Sequence, residues 1–119
     1  MKQTKEVALH AAKALADKKG LGIQLLDVAE VTTLAEYFLI CTGTSNTHVN
    51  TLCDAVEKAI NDEMNEPLLH REGHRSGTWV LLDFGSLIVH VFTEETRKFY
   101  DLERLWGDGK SVPLGDLIE

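Results

Sequence analysis

Several groups of residues in this chain have types and spacings that could do chemistry. Gly43-Thr44-Ser45 stands between an apolar run and an amphipathic one. Such a turn at a strand-to-helix junction can hold a phosphate on helix N-terminal amides. It has one glycine and no Gly-Lys-Ser/Thr, so it is no Walker loop. A turn followed by an N-cap is the simpler reading. Nucleotidyltransferases also place a Gly-Ser-type turn before a helix, but they need alternating carboxylates on an adjoining strand to hold metal ions. No Asp-x-Asp or Glu-x-Asp pair falls on any predicted strand, and Asp83 stands alone. His70 and His74 are four apart, which on a helix would put two imidazoles on one face for zinc. Pro67 and Gly73 argue against a helix there, and no third ligand is evident. Cys41 and Cys53 form neither a disulfide framework nor a CxxC site, and each falls on an apolar stripe. A small buried side chain is expected of each, ahead of a nucleophile paired with a distant histidine. No metal, no cofactor and no catalytic residue is therefore expected.

The remaining candidates lie on a hairpin. Gly85-Ser86 separates two apolar runs, WVLLDF and LIVHVF, and predicts a two-residue turn with positive φ at the glycine. That turn sets Trp79 opposite Phe92, Leu81 opposite His90, Asp83 opposite Ile88 and Phe84 opposite Leu87. Alternation then separates two faces. Val80, Leu82, Phe84, Leu87, Val89 and Val91 form an apolar face, which is expected to be core. Trp79, Leu81, Asp83, Ile88, His90 and Phe92 mix apolar groups with a carboxylate, an imidazole and an indole. Such a face suits cover by a partner or by a polar-edged helix. Thr93 is a predicted N-cap for a following helix, with Glu94 and Glu95 in its first turn. Phe99, Leu102 and Trp106 share one stripe of that helix, and Tyr100 and Arg104 another. Gly107-Asp108-Gly109 ends it.

The elements before the hairpin are predicted as a helix over 4–19 ended by Gly20, a strand over 22–28, a connection over 29–35 and a strand over 36–42. The last is apolar on both faces, as a central strand should be. A helix follows over 46–64, capped by Ser45 or Asn46, on the stripe Val49, Leu52, Cys53, Val56, Ala59, Ile60 and Met64. A short edge strand over 68–72 comes next. The fold class is α/β (α+β): a mixed sheet of about five strands with helices packed on it.

The chain has 119 residues, 44% hydrophobic and 26% charged, which suits one globular domain. No apolar run approaches the roughly 20 residues that span a bilayer, and the charged N-terminus has no signal-peptide block, so a cytoplasmic protein without a membrane partner is expected. The net charge of −7 argues against gripping nucleic acid through phosphates. An acidic chain is steered instead towards a basic protein.

EYFLICTGTSN (36–46), GTWVLLDFGSLIVHVF (77–92) and RKFYDLERLW (97–106) together resemble the ribosomal silencing factor family, also called Iojap. The resemblance implies one domain over 1–106 and a short C-terminal tail over 107–119. It implies a nucleotidyltransferase-like fold without the catalytic carboxylates. It also implies binding to the large ribosomal subunit through its ribosomal protein fourteen, steric exclusion of the small subunit, and a homodimer. On this basis the partner contact is assigned to Trp79, Leu81, Asp83, His90, Tyr100, Asp101 and Arg104. The competing reading is a nucleotide-binding or nucleotidyltransferase-like enzyme that uses Gly43-Thr44-Ser45.

Overall fold

A computed structural model describes residues 4–73, 78–99 and 109–114. In chain order the elements are α1 (Thr4–Asp17), β1 (Leu21–Asp27), β2 (Tyr37–Gly43), α2 (Asn46–Glu57, continued by a π-helical segment over Lys58–Glu63), β3 (His70–Gly73), β4 (Trp79–Asp83), β5 (Leu87–Thr93), α3 (Glu94–Phe99) and β6 (Lys110–Val112). Among the described residues the strands form one sheet in the order β3-β4-β5-β2-β1-β6. β2 and β5 run parallel, and the other neighbours are antiparallel. The sheet is therefore mixed, as expected, with a sixth strand where about five were predicted. That strand falls in the segment expected to be a tail: Val112 pairs with Leu25, and Leu114 just beyond it is buried in the core. A three-residue Lys-Ser-Val run carries almost no periodicity. It becomes a strand because β1 offers it an open edge.

β2 is central, and its residues from Phe38 to Gly43 are all buried, which follows from its two apolar faces. α1 and α2 pack on one face of the sheet. Their small and branched side chains (Ala8, Ala11, Leu15, Val49, Leu52, Val56) meet Leu25, Leu39, Val80, Leu82, Val89 and Val91 in the main core. Leu26, Val28, Ala35, Phe38, Ile40 and Phe92 form a smaller cluster on the opposite face, with Trp79 and Ile88 packed against it. Both cysteines are buried in the main core. Desolvation pushes each thiol up to about 12, which makes them inert rather than nucleophilic.

α1 ends at Asp17, two residues short of the predicted end at 19. Lys19, not Gly20, takes the left-handed conformation (φ 65°), and Gly20 N–H and Lys19 N–H donate to Leu15 O and Ala16 O at 2.8 and 2.9 Å. This is a Schellman closure. Gly20 is needed for a different reason, because a Cβ there would strike Cys41 Sγ. The predicted helix over 46–64 is α-helical only to Glu57 and widens into π turns to Glu63. Asn65 (φ 60°) closes it, with Glu66 N–H donating to Ile60 O at 3.1 Å. Edge strand β3 is exposed throughout and is tied to α2 by Arg71, which donates to Asp54 at 3.2 Å and Glu57 at 2.8 Å. Among the described residues no helix is long and apolar enough to cross a membrane.

Candidate functional site

The hairpin closes as its turn chemistry predicts. Gly85 has φ 91°, Phe84 N–H donates to Leu87 O at 2.9 Å, and the pairs Trp79–Phe92, Leu81–His90 and Asp83–Ile88 are all in register. Asp83 Oδ1 also accepts the Gly85 N–H at 2.8 Å, so this carboxylate braces the turn. Parallel pairing with β2 extends the mixed face sideways, setting Phe38 beside Ile88 and Ile40 beside His90. Sequence reasoning missed Phe38 and Ile40 as members of this face. Their strand reads as apolar on both sides, and only the parallel register shows which side joins the hairpin.

The face is graded from sealed to open. Phe92 is fully buried and His90 is 6% exposed, whereas Trp79, Leu81, Asp83 and Ile88 are half-buried. Trp79 Nε1–H donates to His90 Nδ1 at 3.4 Å, which places the imidazole proton on Nε2. The Phe38 ring stands edge-on to His90 at 5.2 Å, and Trp79 meets Phe92 edge-on at 6.2 Å. Desolvation lowers His90 to about 4 and keeps it neutral. His90 thus supports the indole from beneath, while Trp79 and Leu81 face outwards. Tyr100, Asp101 and Arg104 lie outside the described residues, as do the stripe formed by Leu102 and Trp106, His74, and the C-terminal Leu117 and Ile118. α3 begins as predicted, with Thr93 Oγ1 accepting the Thr96 N–H at 3.4 Å. Arg97 fixes this helix to the sheet. Its Nη1 donates to Thr42 Oγ1 at 2.8 Å and to Gly22 O at 3.1 Å, and its guanidinium lies 5.6 Å from the centre of the Phe92 ring. Gly22 (φ 53°) makes room, since a Cβ there would sit 2.7 Å from Nη1.

The second candidate is a crevice of about 500 Å³ at the carboxyl ends of β2 and β5, lined by Thr42 to Asn46, Thr78, Thr93, Glu94 and Glu95, with Leu21. The ends of parallel strands are the usual place for ligands in α/β sheets. Here several donors around the helix start are engaged within the fold. Ser45 is the N-cap and accepts the His48 N–H at 3.1 Å, Val49 N–H donates to Ser45 O at 2.9 Å, and Thr44 N–H donates to His48 Nδ1 at 2.9 Å. The His48 proton must then be on Nε2, which donates to Lys18 O at 2.8 Å and joins the end of α1 to the start of α2. Two carboxylates at the rim repel the anion that such a site would need. They belong to the first turn of α3 rather than to a strand, so they do not alternate as paired metal ligands do. Among the described residues no three His, Cys, Asp or Glu side chains converge as a metal site.

The description "ribosomal silencing factor during starvation" matches residues 1–119. The chain belongs to the ribosomal silencing factor family. It is 39% identical over 116 residues to ribosomal silencing factor RsfS of Bacillus subtilis, covering 95% of this chain and 92% of that one. A crystal structure of a Chromobacterium violaceum protein superposes with a TM-score of 0.84 at 37% identity, covering 94% of this chain and 91% of that one. A mouse relative named mitochondrial assembly of ribosomal large subunit protein 1 is 31% identical over 86 residues, which is 71% of this chain and 38% of that protein. Membership makes the protein a non-catalytic regulator associated with the ribosome and with translation.

Proposed function

We propose that the chain represses translation in the cytoplasm by occlusion. It docks on the large ribosomal subunit through ribosomal protein fourteen and denies the small subunit its place, with no bond made or broken. The observation that supports this most is the graded hairpin face. α1 and α2 are spent on the other side of the sheet, and Trp79, Leu81, Asp83 and Ile88 stay half-buried over a rigid base of His90, Phe38 and Phe92. A large aromatic on a rigid base, beside an acid, is the kind of anchor that protein interfaces use. The net charge of −7 supplies steering towards a basic partner. Tyr100, Asp101 and Arg104 complete the proposed contact. The proposed homodimer uses the same face, so self-association and docking exclude each other. The test is co-sedimentation with separated subunits. The protein is expected to travel with the large subunit and not with the small one; travel with neither, or with the small one, would overturn the proposal.

A further inference from the structure

The loop over 28–36 joins β1 to β2 and is braced at every turn. Val31 N–H and Thr32 N–H donate to Val28 O at 3.0 and 2.9 Å, Leu34 N–H to Thr32 Oγ1 at 3.1 Å, and Ala29 N–H to Asp27 Oδ1 at 3.2 Å. Val28 N–H donates to Glu36 O at 2.9 Å, and Glu36 N–H reaches Ser86 O at 2.8 Å, which ties the loop to the hairpin turn. Its two roots, Val28 and Ala35, are buried in the cluster that underlies Trp79 and Ile88. A loop held this firmly would be expected to turn its apolar residues inwards. Instead Leu34 is 74% exposed and Val31 50%.

Single exposed leucines are ordinary. This pair differs because its backbone is fixed, so burying it against a partner costs little ordering entropy. The loop that carries it is rooted beside the hairpin face, since its Ala35 lies in the same cluster as Phe38, whose strand partner is Ile88. The only charges between residues 28 and 36 are Glu30 and Glu36. Glu30 meets Lys110 at 3.6 Å, but both are highly exposed and the pair contributes little. We infer that Val31 and Leu34 form a second, preorganised contact of the docking face, which takes an apolar side chain flanked by lysine or arginine on the basic ribosomal protein. The inference rests on the docking reading above.

The test is equilibrium binding of the full chain to purified large ribosomal subunits, with thermal melts to check the fold. Leu34→Ser is expected to weaken binding about tenfold, in the range of an interface anchor. Leu34→Met should bind nearly as the natural chain, and neither change should move the melt. Trp79→Ala is the control for the parent reading. If Trp79→Ala weakens binding and Leu34→Ser and Val31→Ser do not, the loop contact is wrong and the docking face stands. If the natural chain fails to bind large subunits at all, the docking reading fails and takes the loop contact with it.

Discussion

The crevice and the hairpin face belong to one sheet, and both use polar groups to brace the fold, but they leave different surfaces to solvent. At the crevice, polar groups around the start of α2 bond to one another. Ser45 caps, Thr44 gives its N–H to His48, and His48 reaches back to Lys18. At the hairpin the polar groups brace the base while apolar bodies remain in reach of solvent: Asp83 holds the turn and His90 holds the indole. A strand-to-helix junction with a small-residue turn could hold an anion, but Ser45 serves as the N-cap, in line with the simpler reading of the sequence. A hairpin with one apolar and one mixed face puts the first in the core and leaves part of the second open. Turn motifs alone do not locate function; the two regions differ in whether apolar surface is left open above the braced polar groups.

The largest expected effect is on the open side. Trp79→Ala combined with Tyr100→Ala should weaken large-subunit binding about a hundredfold, since two aromatic anchors contribute more than about 1 kcal/mol each. Unchanged co-sedimentation would remove the hairpin face from the account. The next effect concerns the base of that face. His90 is held near 4 in the folded protein against 6.5 when free, so the unfolded chain takes up its proton first. Stability from this group is complete above about pH 6.5 and is lost as the pH falls towards 4, by up to about 3 kcal/mol. Urea melts at pH 7 and pH 4.5 should therefore differ less in His90→Gln than in the natural chain; equal differences would show that His90 is not sealed. The smallest effect is expected at the crevice. Nucleotide with magnesium should leave the melting temperature unchanged, because a ligand stabilises only a fold that binds it. A clear rise would erase the contrast between the two regions.

The hairpin register was legible because a two-residue turn allows one pairing, and Ser45 was legible because capping is local. What escaped the sequence depends on distant partners. Arg97 finds Gly22 across 75 positions, and no local pattern around either residue signals it. The parallel pairing of β2 and β5 decides that Phe38 and Ile40 join the hairpin face, and β6 exists because β1 has an edge to offer. The exposure of Val31 and Leu34 was illegible too, because nothing in their composition distinguishes a held loop from a loose one.

Exclusion of the small subunit is open to a direct check, a subunit-joining assay on a sucrose gradient. Protein is added to separated large subunits before small subunits are supplied. With occlusion, the whole-ribosome peak falls and the protein travels with the large subunit. An undiminished whole-ribosome peak, with the protein left at the top of the gradient, would contradict it.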